Sequence, residues 1–143
     1  MSAVITLLTQ QHQEVLARIA AVEHADDAGV AAAFLAFLEG EVLPHFRLEE
    51  EALFPELAQD ASIAAGPLRV MNAEHTAFRE LLEAGRIARR AGDPSRLCAV
   101  AADLAALLRT HIVKEDGVLF PLALQRLSVE QLRRVDSALA AAS

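Results

Sequence analysis

HFRLEEEALFP spans residues 45–55 and HIVKEDGVLFP spans residues 111–121. Each reads histidine, three residues, glutamate, a second acid, a gap, then Leu-Phe-Pro. A repeat kept for packing alone preserves its apolar letters. This one preserves the polar letters as well, so it asks for a chemical reason. On a helix, residues four apart lie one turn up and about 40° round. His45 therefore faces the same way as Glu49, and His111 the same way as Glu115. An imidazole and a carboxylate on one face can hold one cation, or two neighbouring ones.

Outward from the repeat, the chain reads as four long helices. Val4, Leu7, Leu8, Val15, Ile19 and Val22 recur near helical spacing and give a first helix from about Ala3 to Glu23. His24 follows as a solvated last-turn or loop histidine, and Asp27 is placed to cap the next helix. The second helix runs from about Val30 to Leu57, with Pro44 inside it. Proline lacks a backbone donor and crowds the carbonyl four residues earlier, here that of Gly40, so a bend or local widening is expected directly before His45. Residues 59–66 read as a connection. The third helix runs from about Pro67 to Ala91 and the fourth from about Pro94 to Leu124. Arg86, Arg89 and Arg90 fall where the third helix ends and complement its dipole. After Ser128 a short fifth helix opens on a capping box with Gln131 reaching back. Short links predict an all-α, up-down-up-down four-helix bundle over about 3–124, an appended helix over about 128–142, and a single domain over 1–143.

Composition agrees. Hydrophobic residues make up 54% of 143 residues, rich in Ala and Leu, with no Tyr or Trp, which favours an ordered helical protein over a sheet or a disordered chain. A net charge of −7 argues against a phosphate-tracking surface, so no nucleic-acid partner is expected. The N-terminal stretch turns polar within ten residues without a basic start, and no stretch reads as apolar and charge-free for long enough to span a bilayer. No membrane partner is expected. The single Cys98 forms no internal disulfide and reads as a small buried hydrophobe, and a reducing cytoplasm is the expected location.

The remaining long helices each carry one well-placed histidine, His12 on the first and His75 on the third. At ~1.5 Å of rise per residue, His75 falls level with both copies of the repeat, and His12 agrees within about a turn. Four imidazoles and two carboxylates buried at one level would be costly without a metal. They exceed what one tetrahedral zinc takes and suit a dinuclear centre bridged by two glutamates. Glu50, Glu74 and Asp116 stand behind these residues as outer partners or alternates. Phe54 and Phe120 fall about 180° from the histidines that open each copy and read as packing at the end of the bundle, as Phe46 and Ile112 read as packing.

At His12, HFRLEEEALFP, EHTAF and HIVKEDGVLFP the chain resembles the hemerythrin-like family, the HHE cation-binding domains, in the family's order and almost throughout. The resemblance implies a four-helix bundle around an oxo- or hydroxo-bridged centre of two Fe ions, with zinc or manganese as substitutes. It implies terminal ligation by His12, His45, His75 and His111 and bridging by Glu49. The second bridge stays open: His-x3-Glu selects Glu115, which repeats Glu49, and the His-x4-Asp of oxygen carriers selects Asp116 as the alternate. One departure stands out. Where oxygen carriers have a fifth histidine, four residues before His75, this chain has Met71, a poor donor to hard iron.

Three functions follow for test. The first is a di-iron protein that binds, senses or scavenges dioxygen, peroxide or nitric oxide, or handles iron. Its partner would be a small diatomic ligand or peroxide, and the sequence names no protein partner. The second is a di-iron enzyme consuming peroxide. Neither a ferritin-like Glu-x-x-His pair nor His-Glu-x-x-His is present to support other enzyme classes, since Val42, Asn72 and Leu108 stand three before His45, His75 and His111. The third is a structural-metal bundle acting as an interaction module.

Overall fold

The structure is a computed structural model that describes residues 2–23 and 26–142. His24 lies outside the described residues. The described residues form an all-α bundle without a strand. Helix α1 spans Ala3–Val22, and Ser2 starts it by accepting a hydrogen bond from the Ile5 N–H. Helix α2, Ala28–Leu57, begins two residues earlier than expected, because Asp27 Oδ1 accepts from the N–H groups of both Gly29 and Val30. The expected connection over 59–66 instead contains a short helix α3, Ala61–Ala65. Asp60 caps it by accepting from the Ser62 N–H and hydroxyl. Helix α4 is Pro67–Arg90, and α5 covers residues 94–126, two beyond the expected end. Helix α6, Val129–Ala142, opens on a complete capping box. Ser128 Oγ accepts from the Gln131 N–H at 3.1 Å, and Gln131 Oε1 accepts from the Ser128 N–H at 2.9 Å.

The widening expected at Pro44 is a π turn, Leu38–Val42, closed by the Leu43 N–H on the Leu38 carbonyl. The same device recurs in both copies of the repeat. Glu49–Leu53 closes through the Phe54 N–H on Glu49 O, and Glu115–Leu119 through the Phe120 N–H on Glu115 O. In all three cases proline follows the closing donor, at 44, 55 and 121. A proline cannot make the next α-type bond and would strike the carbonyl four residues back, so the chain opens by one residue there. That extra residue corrects the expected direction of Phe54 and Phe120. Setting the helix back by about 100° turns the 180° offset from His45 and His111 into about 80°. Both rings swing inward.

The core consists of two apolar blocks. One contains Val15, Ile19, Phe34, Leu35, Leu38, Val42, Phe46, Phe78, Leu82, Leu104 and Leu108. The other contains Val4, Leu8, Leu53, Phe54, Leu57, Met71, Leu119, Phe120 and Val135. On each long helix the residues between the blocks are the polar ones of the sequence reading, so a polar layer divides the core at mid-depth. Phe46 is buried as expected, as is Ile112. Cys98 is only half-buried against the first block, more open than expected. Arg86 pairs with Glu39 and Glu83, and Arg90 with Glu83, across the end of α4.

By length and composition α2 is apolar enough to cross a membrane, with a mean hydropathy of 1.3 over its most apolar stretch, but Glu39 and Glu41 interrupt that stretch, so it is not charge-free. In the bundle its Phe34, Leu35, Leu38, Val42 and Leu53 are buried against other helices.

Helix α6 fastens the start of α1. Asp136 accepts from the Ser2 hydroxyl at 2.6 Å and from the N–H groups of Ala3 and Val4 at 3.1 Å each. It thereby satisfies donors that a helix start leaves unpaired. Burial alone would raise the Asp136 carboxyl, but these bonds outweigh it and hold it below its ordinary value. A depressed folded-state value means the contribution is present above the unfolded value of 3.8 and is lost only as pH falls through the lower, folded one. Asp136→Ala should cost about 1–3 kcal/mol, lowering the melting temperature by several degrees at neutral pH and by less in strong acid. Thermal unfolding of the variant across pH measures both.

Candidate metal centre

All six donors named by the repeat and its partners meet in the polar layer. His12, His45, Glu49, His75, His111 and Glu115 are each at most 4% exposed. Glu115 Oε1 lies 3.1 Å from His12 Nε2, 3.2 Å from His111 Nε2 and 3.8 Å from His45 Nε2. Glu49 Oε1 lies 3.2 Å from His75 Nε2 and 3.6 Å from His45 Nε2. Glu115 thus stands between His12 and His111, and Glu49 between His45 and His75.

The outward nitrogens settle the protonation of the rings. His12 Nδ1 is 2.7 Å from Asp116 Oδ1, His75 Nδ1 2.7 Å from Glu50 Oε2, and His111 Nδ1 2.8 Å from Glu74 Oε1. His45 Nδ1 is 2.8 Å from Gln11 Oε1. Carboxylate and carbonyl oxygens only accept, so each neutral ring carries its one proton on Nδ1 and turns the Nε2 lone pair inward. The consequence inside the layer is a crowd of inward-facing acceptors. His12 Nε2 faces His45 Nε2 at 3.2 Å. Both Glu49 oxygens, Glu115 Oε2, His75 Nε2 and His111 Nε2 are buried with no hydrogen-bond partner. Buried acceptors left unsatisfied are expensive, and lone pairs facing each other repel. A cation cures both defects.

Donor spacing fits one. Oxygen and nitrogen ligands of a first-row ion sit about 2.0–2.2 Å from it, hence up to about 4.4 Å from one another. The separations of 3.1–3.8 Å around Glu115 and Glu49 fall inside that limit, and the ligand atoms gather into one group of His12, His45, Glu49 and Glu115 and another of Glu49, His75 and His111. Glu49 belongs to both groups, so the pattern is two adjoining positions rather than one.

Titration is ordered by the same geometry. Burial drives the Glu49 carboxyl well above its ordinary value, with the nearby Glu115 charge adding to it. Burial also acts on Glu115, but the close approach of Glu49 and of the His111, His12 and His45 rings outweighs it and holds its carboxyl well below its ordinary value. Burial lowers His75 to about 4 and lowers His45. For His111 burial is overcome by Glu115 and Glu74, which raise it. His45 and His75 are therefore uncharged at neutral pH, each with its Nε2 lone pair free to ligate.

Phenylalanines hold the rings. Phe46 stacks on His75 with centroids 3.7 Å apart and planes 8° off parallel, and Phe120 stacks on His12 at 5.5 Å and 4°. Phe54 lies 5.3 Å from His75. The structure places Asp116, the alternate bridge, on the outside of His12 with its side chain 31% exposed, and Glu115 at the centre. Met71, 2% exposed, packs in the second apolar block among Leu68 and Leu8. The outer partner absent from the sequence reading is Gln11. Its signal was positional: Glu50, Glu74 and Asp116 each adjoin an inner donor in the chain, and Gln11 adjoins His12.

Comparison with known proteins places this arrangement. The family model described as the hemerythrin HHE cation-binding domain matches residues 3–123. The chain is 35% identical over 129 residues to the iron-sulfur cluster repair protein YtfE of Cronobacter sakazakii, covering 80% of this chain and 58% of that protein. Against the YtfE of Enterobacter sp. strain 638 the identity is 35% over 132 residues, with 80% and 59% covered. Against that of Escherichia coli O1:K1 it is 33% over 129 residues, with 80% and 59% covered. The chain thus spans a little under three fifths of the length of these curated relatives. No solved structure gives a significant match. Matched over most of its length, the chain belongs to the hemerythrin HHE cation-binding domain family, whose fold implies a di-iron site at the layer where the histidines and glutamates converge.

Proposed function

We propose that residues 1–143 act as one hemerythrin-like domain that holds two irons and takes up nitric oxide, dioxygen or peroxide there, in the service of iron and iron–sulfur cluster handling. His12, His45, His75 and His111 serve as terminal ligands and Glu49 and Glu115 as bridges. The observation that carries this reading is the convergence of Nε2 lone pairs on two buried glutamates, with every Nδ1 held by an acceptor outside. When bound, two ferrous ions would supply a redox pair with affinity for small ligands.

The protein supplies orientation, dryness and size. The outer acceptors aim the rings, and the two apolar blocks keep bulk water from the layer. Against His12, His45 and His111 lies a cavity of about 10 Å³, lined otherwise by Val15, Val42, Phe46, Leu108 and Ile112. That is room for about one water-sized molecule. Met71 offers no hard donor, which favours uptake and handling over reversible oxygen carriage. The relatives' name adds the cellular setting, since nitric oxide and peroxide both attack iron–sulfur clusters.

Protein purified without air should contain two irons per chain and change its absorption on addition of nitric oxide, peroxide or air. The lack of Tyr and Trp leaves the near ultraviolet clear for that reading. Fewer than two irons after anaerobic reconstitution, or iron indifferent to all three additions, overturns the proposal.

A further inference from the structure

The outer acceptors form a closed circuit with one odd member. Gln11 on α1 holds His45 on α2, Glu50 on α2 holds His75 on α4, Glu74 on α4 holds His111 on α5, and Asp116 on α5 holds His12 on α1. Each is the chain neighbour of an inner donor. One step along a helix turns a side chain by about 100°, which aims it at the adjacent helix instead of the centre. Three members are acids. Only Gln11 is neutral.

The acids differ in turn. Glu50 is gripped by Arg79 through two bonds of 2.8 Å each, and Glu74 is paired with Lys114. These cations draw charge away from the carboxylates on His75 and His111. Among the described residues no arginine or lysine pairs with Asp116. The inner pairs are therefore unlike. His75 and His111 share matched, partly neutralised carboxylates. His12 has a free carboxylate, and His45 has a carboxamide. An acceptor that carries charge pulls harder on the Nδ1 proton and makes Nε2 the better donor, so outer partners tune ligand strength.

On the di-iron reading above, we infer that Gln11 is a positioning residue that makes His45 the weakest-donating imidazole of the four and the ligand that yields first. His45 also lines the small cavity, so the ring least committed to metal is one that borders the space for an incoming molecule. Met71 and the outer acids do not produce this inequality. It follows from one amide on α1.

The test uses the full chain loaded with two irons and compares Gln11→Glu, Gln11→Leu and wild type. Gln11→Glu keeps the shape of the side chain and supplies the missing charge. Iron transfer to the chelator ferrozine should have a fast phase in wild type, slowed about 10-fold in Gln11→Glu and quickened about 10-fold in Gln11→Leu. The two ferrous Mössbauer doublets should be distinct in wild type and draw together in Gln11→Glu, while its reduction potential falls. Those changes with an unaltered melting temperature of the metal-free protein support the inference, because a merely structural role would move melting instead. Gln11→Glu with two irons bound and with wild-type release, doublets and potential overturns it, whether or not Gln11→Leu folds. A wild-type chain that binds no iron sinks the di-iron reading itself, a result distinct from either.

Discussion

Glu115→Gln is expected to move two measurements in opposite directions. Metal affinity should fall by a hundredfold or more, on the order of the largest losses that even outer partners cause when removed. Stability of the metal-free protein should rise. In wild type a single Glu115 oxygen, Oε1, faces His12 Nε2 at 3.1 Å and His111 Nε2 at 3.2 Å, and Oε2 has no partner. A carboxamide placed there removes a buried charge and offers two N–H donors to those nitrogens. Relief of unsatisfied buried acceptors contributes about 1–3 kcal/mol, and exchanging a buried charge for a neutral group of the same shape is commonly neutral or stabilising.

Melting curves with a chelator and with anaerobic ferrous iron separate the two effects. The variant should melt several degrees above wild type in chelator and gain little from iron. A variant that melts lower in chelator yet binds two irons normally would show that Glu115 supports the fold and not the metal. Few other substitutions invert sign in this way, because an ordinary buried glutamate is held by donors that its amide cannot replace.

The four long helices were legible from apolar spacing, and the layer from a repeat that preserved histidine and glutamate. What sequence reasoning missed has definite causes. Pro44 was seen to widen α2, but Pro55 and Pro121 act in the same way, and counting 100° per residue through their π turns sends Phe54 and Phe120 to the wrong side. Helical arithmetic fails wherever the period changes, and here it changes at the glutamates themselves. Gln11 escaped because a glutamine in a polar run carries no chemical signature. Only the geometry of helix neighbours shows that a residue beside His12 serves His45. The short α3 was hidden in a stretch that reads as a link, where a cap by Asp60 suffices to wind one turn. Glu115 and Asp116 both fitted the spacing; their directions on α5, one inward and one toward α1, distinguish them.

Removing metal should produce the largest shift of all. A ligand that binds the folded chain alone stabilises it by RT ln(1 + [L]/Kd), about 4 kcal/mol at a thousandfold excess over Kd. For a chain of this size each kcal/mol moves the melting temperature by roughly 3–5 °C, so iron should raise it by at least about 10 °C. The sign rests on the same buried acceptors. With no cation the layer leaves Glu49, His75 and His111 atoms unpaired between two apolar blocks, and unfolding returns them to water. Chelated protein should therefore loosen first at the layer. Hydrogen exchange should quicken around Glu49–Leu53 and Glu115–Leu119, where the π turns already depart from regular bonding, before it quickens at Phe34 or Leu104. Equal melting with and without iron, at full occupancy, would mean that the layer is satisfied some other way, and the assignment of its six donors to metal would fall with it.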